Sequence, residues 1–452
     1  MFRIILIIFL FFEIFSYDKA SFDIYKHSLK ICGGCNKCIP YRLKISSDGN
    51  ITVSIPSLYN TSNSIIGNCE NCTLVKLNSK DNFKSLLNNY NNLYSVMGYC
   101  LDKNNKYYIL DQGKIKISEN NGYFVENNTP KLVLYNSNNG KITEFKFEGI
   151  DLNNSILTDV IVDHEGKYAY ITDSGNIKKD NSNSGIIIIN LETKKVYRIL
   201  NNHSSFKADK NFNFQNSLTN NEVKDFISNF VGVNNIEISC DDETLFYTSL
   251  KSNNIYSVST KDILNAIEKY DKSQNLNDLK DIKVNSANKT FISENYIISS
   301  KNNIFMTNSE TKSVDVSFYV DGDLSYFNPN LNSKIKTNDN KNNYNLQYSL
   351  DINEDNLYLL TNSFDNEYNL KNCSIYKAKL KTDELNNNKG CSIFIFKLSG
   401  GIIFLLIWFF IILCVVILII IMNSGTDLEQ THLLKEMAKE AEINELNREL
   451  NG

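Results

Sequence analysis

A unit made of a strand, a polar turn and a second strand recurs along this sequence. In its clearest copy, 158–175, two runs rich in Ile, Val and Tyr flank the turn DHEG at 163–166. Residues of those types favour pleated, half-buried strands, whereas glycine and short polar residues favour turns. The six copies lie at 41–56, 97–113, 158–175, 234–250, 290–309 and 346–364.

Most copies are followed by a second strand pair, so that a complete unit contains four strands. The second pairs lie at 131–149, 185–200, 254–260, 313–320 and 373–381. One such sheet cannot bury both of its faces alone, and repeated four-stranded sheets of about 40–50 residues are typical of β-propellers. The sequence therefore predicts an all-β fold, a six-bladed β-propeller over 41–390, with a β-sandwich or two unrelated β domains as alternatives. Within it, 261–269 is predicted to be helical.

Two apolar segments bear on the cellular compartment. Residues 1–16 carry Arg3 and then an apolar run, which is the pattern of a signal peptide. Residues 398–422 contain no charge and are long enough to cross a bilayer as a helix, with a buried helix of a soluble domain as the alternative. The sequence therefore predicts a single-pass type I membrane protein of the secretory pathway or cell surface. Residues 423–452 would form its acidic, helical cytosolic tail.

Cysteines are concentrated near the N-terminus, where 17–40 form a predicted Cys-rich extension. Their C-x2-C spacing could hold zinc in a cytosolic protein, but behind a signal peptide it favours disulfide bonds. The disulfide candidates are Cys32, Cys35, Cys38, Cys69, Cys72, Cys100, Cys240 and Cys373. Cys391 is left for a free thiol or for a bridge to another chain, and such a bridge or the tail would support assembly.

Asn-x-Ser/Thr sequons precede the predicted membrane span. N-linked glycans on them would agree with a lumenal or extracellular body. The glycosylation candidates are Asn50, Asn60, Asn71, Asn153, Asn202, Asn288 and Asn372.

Three stretches carry a resemblance to a known family. They are YYILDQG with PKLVLYNSNNGKI (107–113 and 130–142), DVIVDHEGKYAYITDSG with GIIIINLETKKVYRI (159–175 and 185–199), and VGVNNIEISCDDETLFYTSLKSNNIYSVST (231–260). Together they resemble the yellow / major royal jelly protein family over roughly 90–390, and the resemblance implies a six-bladed β-propeller. Tyr197 stands where the family usually has Trp, and Cys240 stands where it has Pro. The span and the Cys-rich start would make this chain a divergent, membrane-anchored member.

The same resemblance implies a ligand site at the mouth of the propeller's central channel. In amine-binding members, polar and aromatic side chains at the ends of the inner strands hold the ligand. The match of LLTNSF at 359–364 places Asn362 as the hydrogen-bonding residue and Phe364 as the aromatic wall. A cationic amine gains about 0.5–2 kcal/mol against such a wall. Asp111 and Asp173 end comparable strands and would supply a counter-charge, the alternative being that all four are structural turn residues.

The other chemistry-bearing residues give little support for catalysis. The sequence has four histidines, His27, His164, His203 and His432. They are not spaced as a metal pair, and no Ser-His-Asp arrangement, phosphate-binding loop or nucleotide fingerprint is present. The sequence contains no concentrated basic stretch of the kind that binds nucleic acid. We therefore predict no cofactor, with calcium as in propeller lactonases as the alternative and Asp111, Asp159 and Asp173 as its candidate ligands.

Three classes of function compete. The favoured one is a non-catalytic, membrane-anchored propeller that binds a small ligand, for example an amine, or a partner protein. The second is a propeller enzyme resembling the family's dopachrome-converting members or calcium lactonases. The third is a structural or adhesive membrane component.

Overall fold

The computed structural model of this chain divides into two compact units, Met1–Cys391 and Ser392–Gly452. The residues that it describes are 25–29, 40–56, 59–61, 64–66, 73–77, 83–87, 90, 92–113, 115–118, 122–125, 129–152, 155–175, 183–207, 233–249, 252, 254–288, 297–300, 303–308, 313–318, 335–336, 344–353, 356–364, 370–379, 432, 434–437 and 439–440.

Short strands make up most of the first unit. In chain order they are β1 (Tyr25–Leu29), β2 (Leu43–Ile45), β3 (Ile51–Ser54), β4 (Tyr59–Thr61), β5 (Ser64–Ile66), β6 (Leu74–Leu77), β7 (Phe83–Ser85), β8 (Val96–Leu101), β9 (Lys106–Asp111), β10 (Ile115–Ser118), β11 (Gly122–Val125), β12 (Lys131–Asn136), β13 (Lys141–Lys146), β14 (Leu157–Val162), β15 (Tyr168–Asp173), β16 (Gly185–Asn190), β17 (Val196–Ile199), β18 (Val233–Ile238), β19 (Thr244–Ser249), β20 (Asn254–Ser259), β21 (Asn285–Asn288), β22 (Ile297–Ser300), β23 (Asn303–Asn308), β24 (Ser313–Phe318), β25 (Ile335–Lys336), β26 (Tyr344–Asn353), β27 (Asn356–Phe364) and β28 (Leu370–Lys379). The helix α1 (Thr260–Ser273) follows β20 and extends beyond the helix predicted at 261–269.

The longer strands pair into six four-stranded sheets within the described residues. Five of these sheets take their four strands from one continuous part of the chain, and we number them blades 1 to 5. They are blade 1 (β2, β3, β6, β7), blade 2 (β8, β9, β12, β13), blade 3 (β14 to β17), blade 4 (β18 to β21) and blade 5 (β22 to β25). The sixth, called the closing sheet, combines β26, β27 and β28 with β1.

The sheets follow one another around a ring. Contacts join β3 to β8, β8 to β14, β14 to β18, β18 to β22, β22 to β26, and β26 back to β2. The first strands of the sheets therefore line the inside of the ring, and the last sheet meets the first. This cyclic order is a β-propeller arrangement, which leaves only short strand edges to protect.

The closing sheet ties the two ends of the first unit together. β1 pairs antiparallel with β28, from Tyr25 opposite Lys377 to Leu29 opposite Cys373. Since β1 precedes blade 1 and β28 follows blade 5, their hydrogen bonds join the beginning of the ring to its end. The stretch 17–40, predicted as an extension, thus contains a strand of this sheet.

The predicted fold class, a six-bladed propeller with a transmembrane helix and a cytosolic tail, needs correction. Five blades are self-contained, whereas the remaining sheet is completed by a strand from the start of the chain. No helix in the described part of the chain is long and apolar enough to cross a membrane. The predicted span, 398–422, and signal peptide, 1–16, lie outside the described residues. In the second unit the described residues at 432, 434–437 and 439–440 are helical and exposed.

Four consecutive isoleucines in β16 show how neighbouring blades pack. All are fully buried, because a central strand of a blade has another blade on either side. Ile186 and Ile188 belong to the core shared with blade 4, where Tyr247 also lies. Ile187 and Ile189 belong to the core shared with blade 2. Side chains alternate across a strand, so one apolar run serves two cores and holds blade 3 in place.

Candidate functional site

Charged side chains alternate with core residues along the inner strands. Glu237 lies between Ile236 and Ile238, and both isoleucines pack in the core between blades 3 and 4. Because successive side chains of a strand face opposite sides, Glu237 faces away from that core. In β26, Asp351 likewise follows Leu350, which packs in the core of the closing sheet. The alternation therefore places both carboxylates on the face of their sheet opposite to that core.

Ion pairs then join side chains of different sheets, and two of these pairs join sheets that are not neighbours. Arg42, which directly precedes β2, places its Nε 3.2 Å from Asp159 Oδ1, so that it links blade 1 to blade 3 past blade 2. Lys44 Nζ lies 3.6 Å from Glu237 Oε1 of blade 4 and 3.5 Å from Asp351 Oδ1 of the closing sheet. Contacts between blades 1, 3 and 4 must cross the middle of the ring. We call these five side chains the axial cluster.

A glycine of blade 2 makes room for this cluster. A Cβ on Gly98 of β8 would lie 2.6 Å from both Cα and Oδ1 of Asp159. Such a separation is far inside van der Waals contact, so β8 and β14 could not keep their present spacing with any larger residue there. Gly98 thereby lets Asp159 approach Arg42 past the intervening blade.

Gly98→Ala is expected to destabilise the fold by about 1–3 kcal/mol, because the added methyl overpacks the contact with Asp159. The free energy of unfolding from urea denaturation measures this. Lys141→Ala, on the exposed outer strand of the same blade, controls for the introduction of alanine. Equal stability of the Gly98→Ala variant and wild type would show that the contact is not close in solution.

The axial cluster is buried, and burial perturbs its charges. Its side chains range from 1% exposed for Arg42 to 16% for Lys44. Burial raises the pKa of Glu237 to about 7 even though Lys44 opposes the shift. Burial also raises the pKa values of Asp159 and Asp351, against the effects of Arg42 and Lys44. Burial lowers the pKa of Lys44, but the carboxylates of Glu237, Asp351 and Asp159 together outweigh it and raise that pKa above its ordinary value.

Asp111 and Asp173, predicted as ligand counter-charges, are fully buried at the ends of β9 and β15. Asp111 accepts hydrogen bonds from backbone N–H groups of the loop before β8 and lies 3.0 Å from Lys131 Nζ. Asp173 accepts a 2.6 Å hydrogen bond from Ser155 Oγ and lies 2.7 Å from Arg198 Nη2. Each carboxylate thus holds the start of its blade's first strand and is neutralised within its own blade. The geometry gives both residues a structural role.

Asn362 lies in β27 beside the beginning of blade 1. Its side chain is fully buried, and its Nδ2 donates a 2.8 Å hydrogen bond to the carbonyl oxygen of Pro40. Its Oδ1 has no hydrogen-bond partner among the described residues. Phe364 ends the same strand, but its side chain is outside what the structure describes. Asn362 therefore offers a buried acceptor, while the aromatic wall stays a prediction.

The four predicted site residues belong to three different sheets. Asp111 belongs to blade 2, Asp173 to blade 3, and Asn362 and Phe364 to the closing sheet. The hydrogen bonds and ion pairs of the described residues do not link either carboxylate to Asn362. The three strand ends share a position within their sheets, and that shared position is what the sequence pattern detected.

Metal binding finds no support in the described part of the chain. No group of three His, Cys, Asp or Glu side chains is placed there to hold a metal ion. The candidate calcium ligands each pair with a basic side chain instead, Asp111 with Lys131, Asp159 with Arg42 and Asp173 with Arg198.

The structure also bears on the predicted disulfides. Cys100 and Cys373 are buried free thiols. They lie on β8 and β28, in separate blades, so the prediction that they form disulfides is not supported. Cys240 is partly exposed in the turn after β18. The remaining cysteine candidates, Cys32, Cys35, Cys38, Cys69, Cys72 and Cys391, lie outside the described residues.

The glycosylation candidates stay predictions. Asn50 and Asn202 lie in turns, and Asn202 Oδ1 accepts a hydrogen bond from the N–H of Asn183. The strand positions are Asn60, Asn288 and Asn372, and Asn71 and Asn153 are outside the described residues.

Four members of the axial cluster were missed from the sequence, namely Arg42, Lys44, Glu237 and Asp351. Each has a local signal, because each is a charged residue set between apolar residues in a first strand or directly before it. The pattern reads Tyr-Arg-Leu-Lys-Ile at 41–45, Ile-Glu-Ile at 236–238 and Leu-Asp-Ile at 350–352. Charges at alternate positions of an outer strand would face solvent, whereas on an inner strand they meet across the ring.

A closed ring of four-stranded sheets around a charged axis defines a β-propeller protein. The model of the family described as "Major royal jelly protein" matches residues 94–391, which is more than half of the chain. The chain therefore belongs to the major royal jelly protein family, as its sequence motifs indicated. Among curated proteins, none matches this sequence.

The solved structures that are similar to this chain at low sequence identity include the following three. A catalytically inactive virginiamycin B lyase from Staphylococcus aureus with quinupristin has a TM-score of 0.41 and 11% identity, with 79% of this chain and 100% of that chain covered. Hydrazine synthase from Kuenenia stuttgartiensis has a TM-score of 0.40 and 12% identity, covering 62% and 71%. A luciferin-regenerating enzyme has a TM-score of 0.44 and 10% identity, covering 78% and 95%. At these TM-scores the likenesses carry no argument about function.

Proposed function

We propose that this protein is a non-catalytic binding propeller that takes a small amine at the end of the ring where Asn362 lies. The observation that carries the proposal is the Oδ1 of Asn362, a fully buried acceptor without a partner among the described residues. Leaving such a group unsatisfied costs about 1–3 kcal/mol, so a donor from a bound molecule is favoured there.

The charge of the axis supports a cationic donor. The axial cluster holds three carboxylates, Asp159, Glu237 and Asp351, against the two basic groups of Arg42 and Lys44. With all five ionised its net charge is therefore negative. A protonated amine combines N–H donors for Asn362 with a positive charge that the axis attracts.

The position of Asn362 is also suited to binding. Its Nδ2 is fixed by the carbonyl of Pro40, at the start of the segment that leads into the inner strand β2. Because that bond anchors the amide, its Oδ1 is held in one direction and loses little conformational entropy on binding a ligand. Phe364, two residues further along β27, would add the aromatic wall of the same site.

Asn362→Ala is expected to weaken amine binding about 10- to 100-fold, since a hydrogen bond to a charged donor contributes roughly 1.5–3 kcal/mol. Thermal-shift screening of the purified protein against biogenic amines identifies the ligand, and calorimetry of wild type and variant measures its Kd. Absence of a shift with every amine, or an unchanged Kd in the variant, counts against the proposal.

Asn353→Ala provides a matched control. Asn353 Nδ2 also donates to a backbone carbonyl of blade 1, that of Ser46, at a distance of 3.3 Å. It lies at the opposite end of β26 from the register position of Asn362. Its replacement removes the same kind of bond between the same two sheets, so amine affinity should stay within error of wild type. A partner protein as the true ligand would instead bind both variants alike and leave amines without effect.

A further inference from the structure

The axial cluster has one carboxylate more than it has basic groups, so its ion pairs leave one negative charge without a basic partner of its own. Arg42 is engaged by Asp159 at 3.2 Å. Lys44 alone therefore faces both Glu237 and Asp351, at 3.6 Å and 3.5 Å. Two buried carboxylates that share one ammonium repel each other, and such a pair is most stable when it holds one proton.

The hydrogen bonds decide which carboxylate takes that proton. Asp351 Oδ2 accepts a 2.5 Å hydrogen bond from the backbone N–H of Ile45, in addition to its contact with Lys44. Glu237 has Lys44 as its partner among the described residues. A carboxylate that accepts a backbone N–H bond is the better anion, so the proton belongs on Glu237.

The groups facing Glu237 from neighbouring strands agree with this assignment. Besides Lys44 and Asp351 they are Asp159 of β14, Arg42 before β2 and the thiol of Cys100 on β8. Lys44 and, more weakly, Arg42 favour a charge on Glu237, while Asp159 and Asp351 disfavour it. Burial adds to their effect and raises the pKa of Glu237 to about 7.

We propose that Glu237 is a proton-binding site on the propeller axis, which holds the one proton of the carboxylate pair that faces Lys44. With the proton bound, the axial cluster is neutral, and with the proton released it has one net negative charge. If the proposed function holds, a cationic ligand would bind the deprotonated cluster more tightly and release this proton.

Stability as a function of pH tests the site without any ligand. Glu237 has a raised pKa in the folded protein, so its contribution is fully present below its ordinary value of 4.5 and is lost as the pH rises to about 7. The Tm of wild type should therefore fall by about 4 °C more than that of Glu237→Gln between about pH 5 and about pH 8. Glu148→Gln, the same change on an exposed turn, should follow wild type.

Parallel curves for wild type and Glu237→Gln would overturn the proposal. Should Glu237→Gln fail to fold, Glu237→Asp provides a second test, because it keeps the carboxyl group but withdraws it from Lys44. Without the ammonium nearby the pKa of the carboxyl rises further, so the fall of Tm with pH should occur at higher pH. If the Tm of Glu237→Asp falls over the same pH range as that of wild type, the proposal is also overturned.

Calorimetry with an amine, in two buffers of different ionisation heat, separates the two proposals. Up to about half a proton should be released per amine near pH 7 in wild type, because Glu237 is about half protonated there, and none in Glu237→Gln. Amine binding without proton release refutes the coupling but keeps the proposed function. Absence of amine binding refutes the proposed function, whereas the ligand-free pH profile still decides whether Glu237 binds a proton.

Discussion

Arg42→Met is expected to lower the free energy of unfolding by about 3–5 kcal/mol. Arg42 is 1% exposed and is among the largest fully buried side chains of the described residues. Its removal leaves the carboxylate of Asp159, itself only 7% exposed, without its partner at 3.2 Å. The guanidinium also lies 4.4 Å above the ring of Tyr41, and this contact is lost as well. Urea denaturation followed by circular dichroism measures the change.

Two controls show whether the loss comes from an uncompensated charge. Arg42→Met combined with Asp159→Asn should be more stable than Arg42→Met alone, because the second change removes the stranded carboxylate. Lys272→Met breaks an exposed pair with Glu268 on α1, and it should leave stability unchanged within error. An Arg42→Met variant as stable as Lys272→Met would mean that the axis is open to water and that Asp159 is solvated there.

The blades could be predicted from the sequence because the strands of each blade follow one another closely in the chain. In blade 3 the connections between consecutive strands are short, five residues after β14 and after β16 and eleven after β15, so that each strand pairs with its neighbour in the chain. Tyr168 to Asp173 and Gly185 to Asn190 pair along their whole length, as the sequence pattern predicts.

The closing sheet could not be read in this way. β1 carries only five residues, Tyr25–Leu29, and its partner β28 lies more than 300 residues away in the chain. Whether such a short strand pairs is decided by where the ring brings the two ends, which is a property of all the blades together. The sequence pattern therefore assigned β1 to an extension.

The axial cluster could not be predicted from the sequence for the same reason, because its residues are far apart in the chain. The alternation of Arg42, Leu43 and Lys44 indicates which side chains share a face, but the identity of the opposite carboxylates depends on the arrangement of sheets around the ring. Glu237 is nearly 200 residues from Lys44, and Asp351 more than 300. In contrast, Asn362 was found because its strand-end position matches a motif, which is local information.

Asp173→Ala is also expected to cost about 3–5 kcal/mol of folding free energy. The carboxylate is fully buried and accepts hydrogen bonds from Ser155 Oγ at 2.6 Å and from the N–H of Gly175 at 2.8 Å. The guanidinium of Arg198, 2.7 Å away and 11% exposed, would lose its counter-charge. The same urea denaturation measures the loss.

The pairing with Arg198 makes this prediction specific. Arg198→Met in the Asp173→Ala background should recover part of the lost stability, since it removes the uncompensated cation. A residue that only supplied counter-charge to a ligand would behave differently, because its replacement would weaken ligand binding and leave the ligand-free protein as stable as before. If Asp173→Ala unfolds at the same urea concentration as wild type, Asp173 does not hold blade 3 together, and its role at the channel mouth would regain support. Loss of stability with rescue by Arg198→Met would instead assign Asp173 to the framework and leave Asn362 as the proposed polar contact for the ligand.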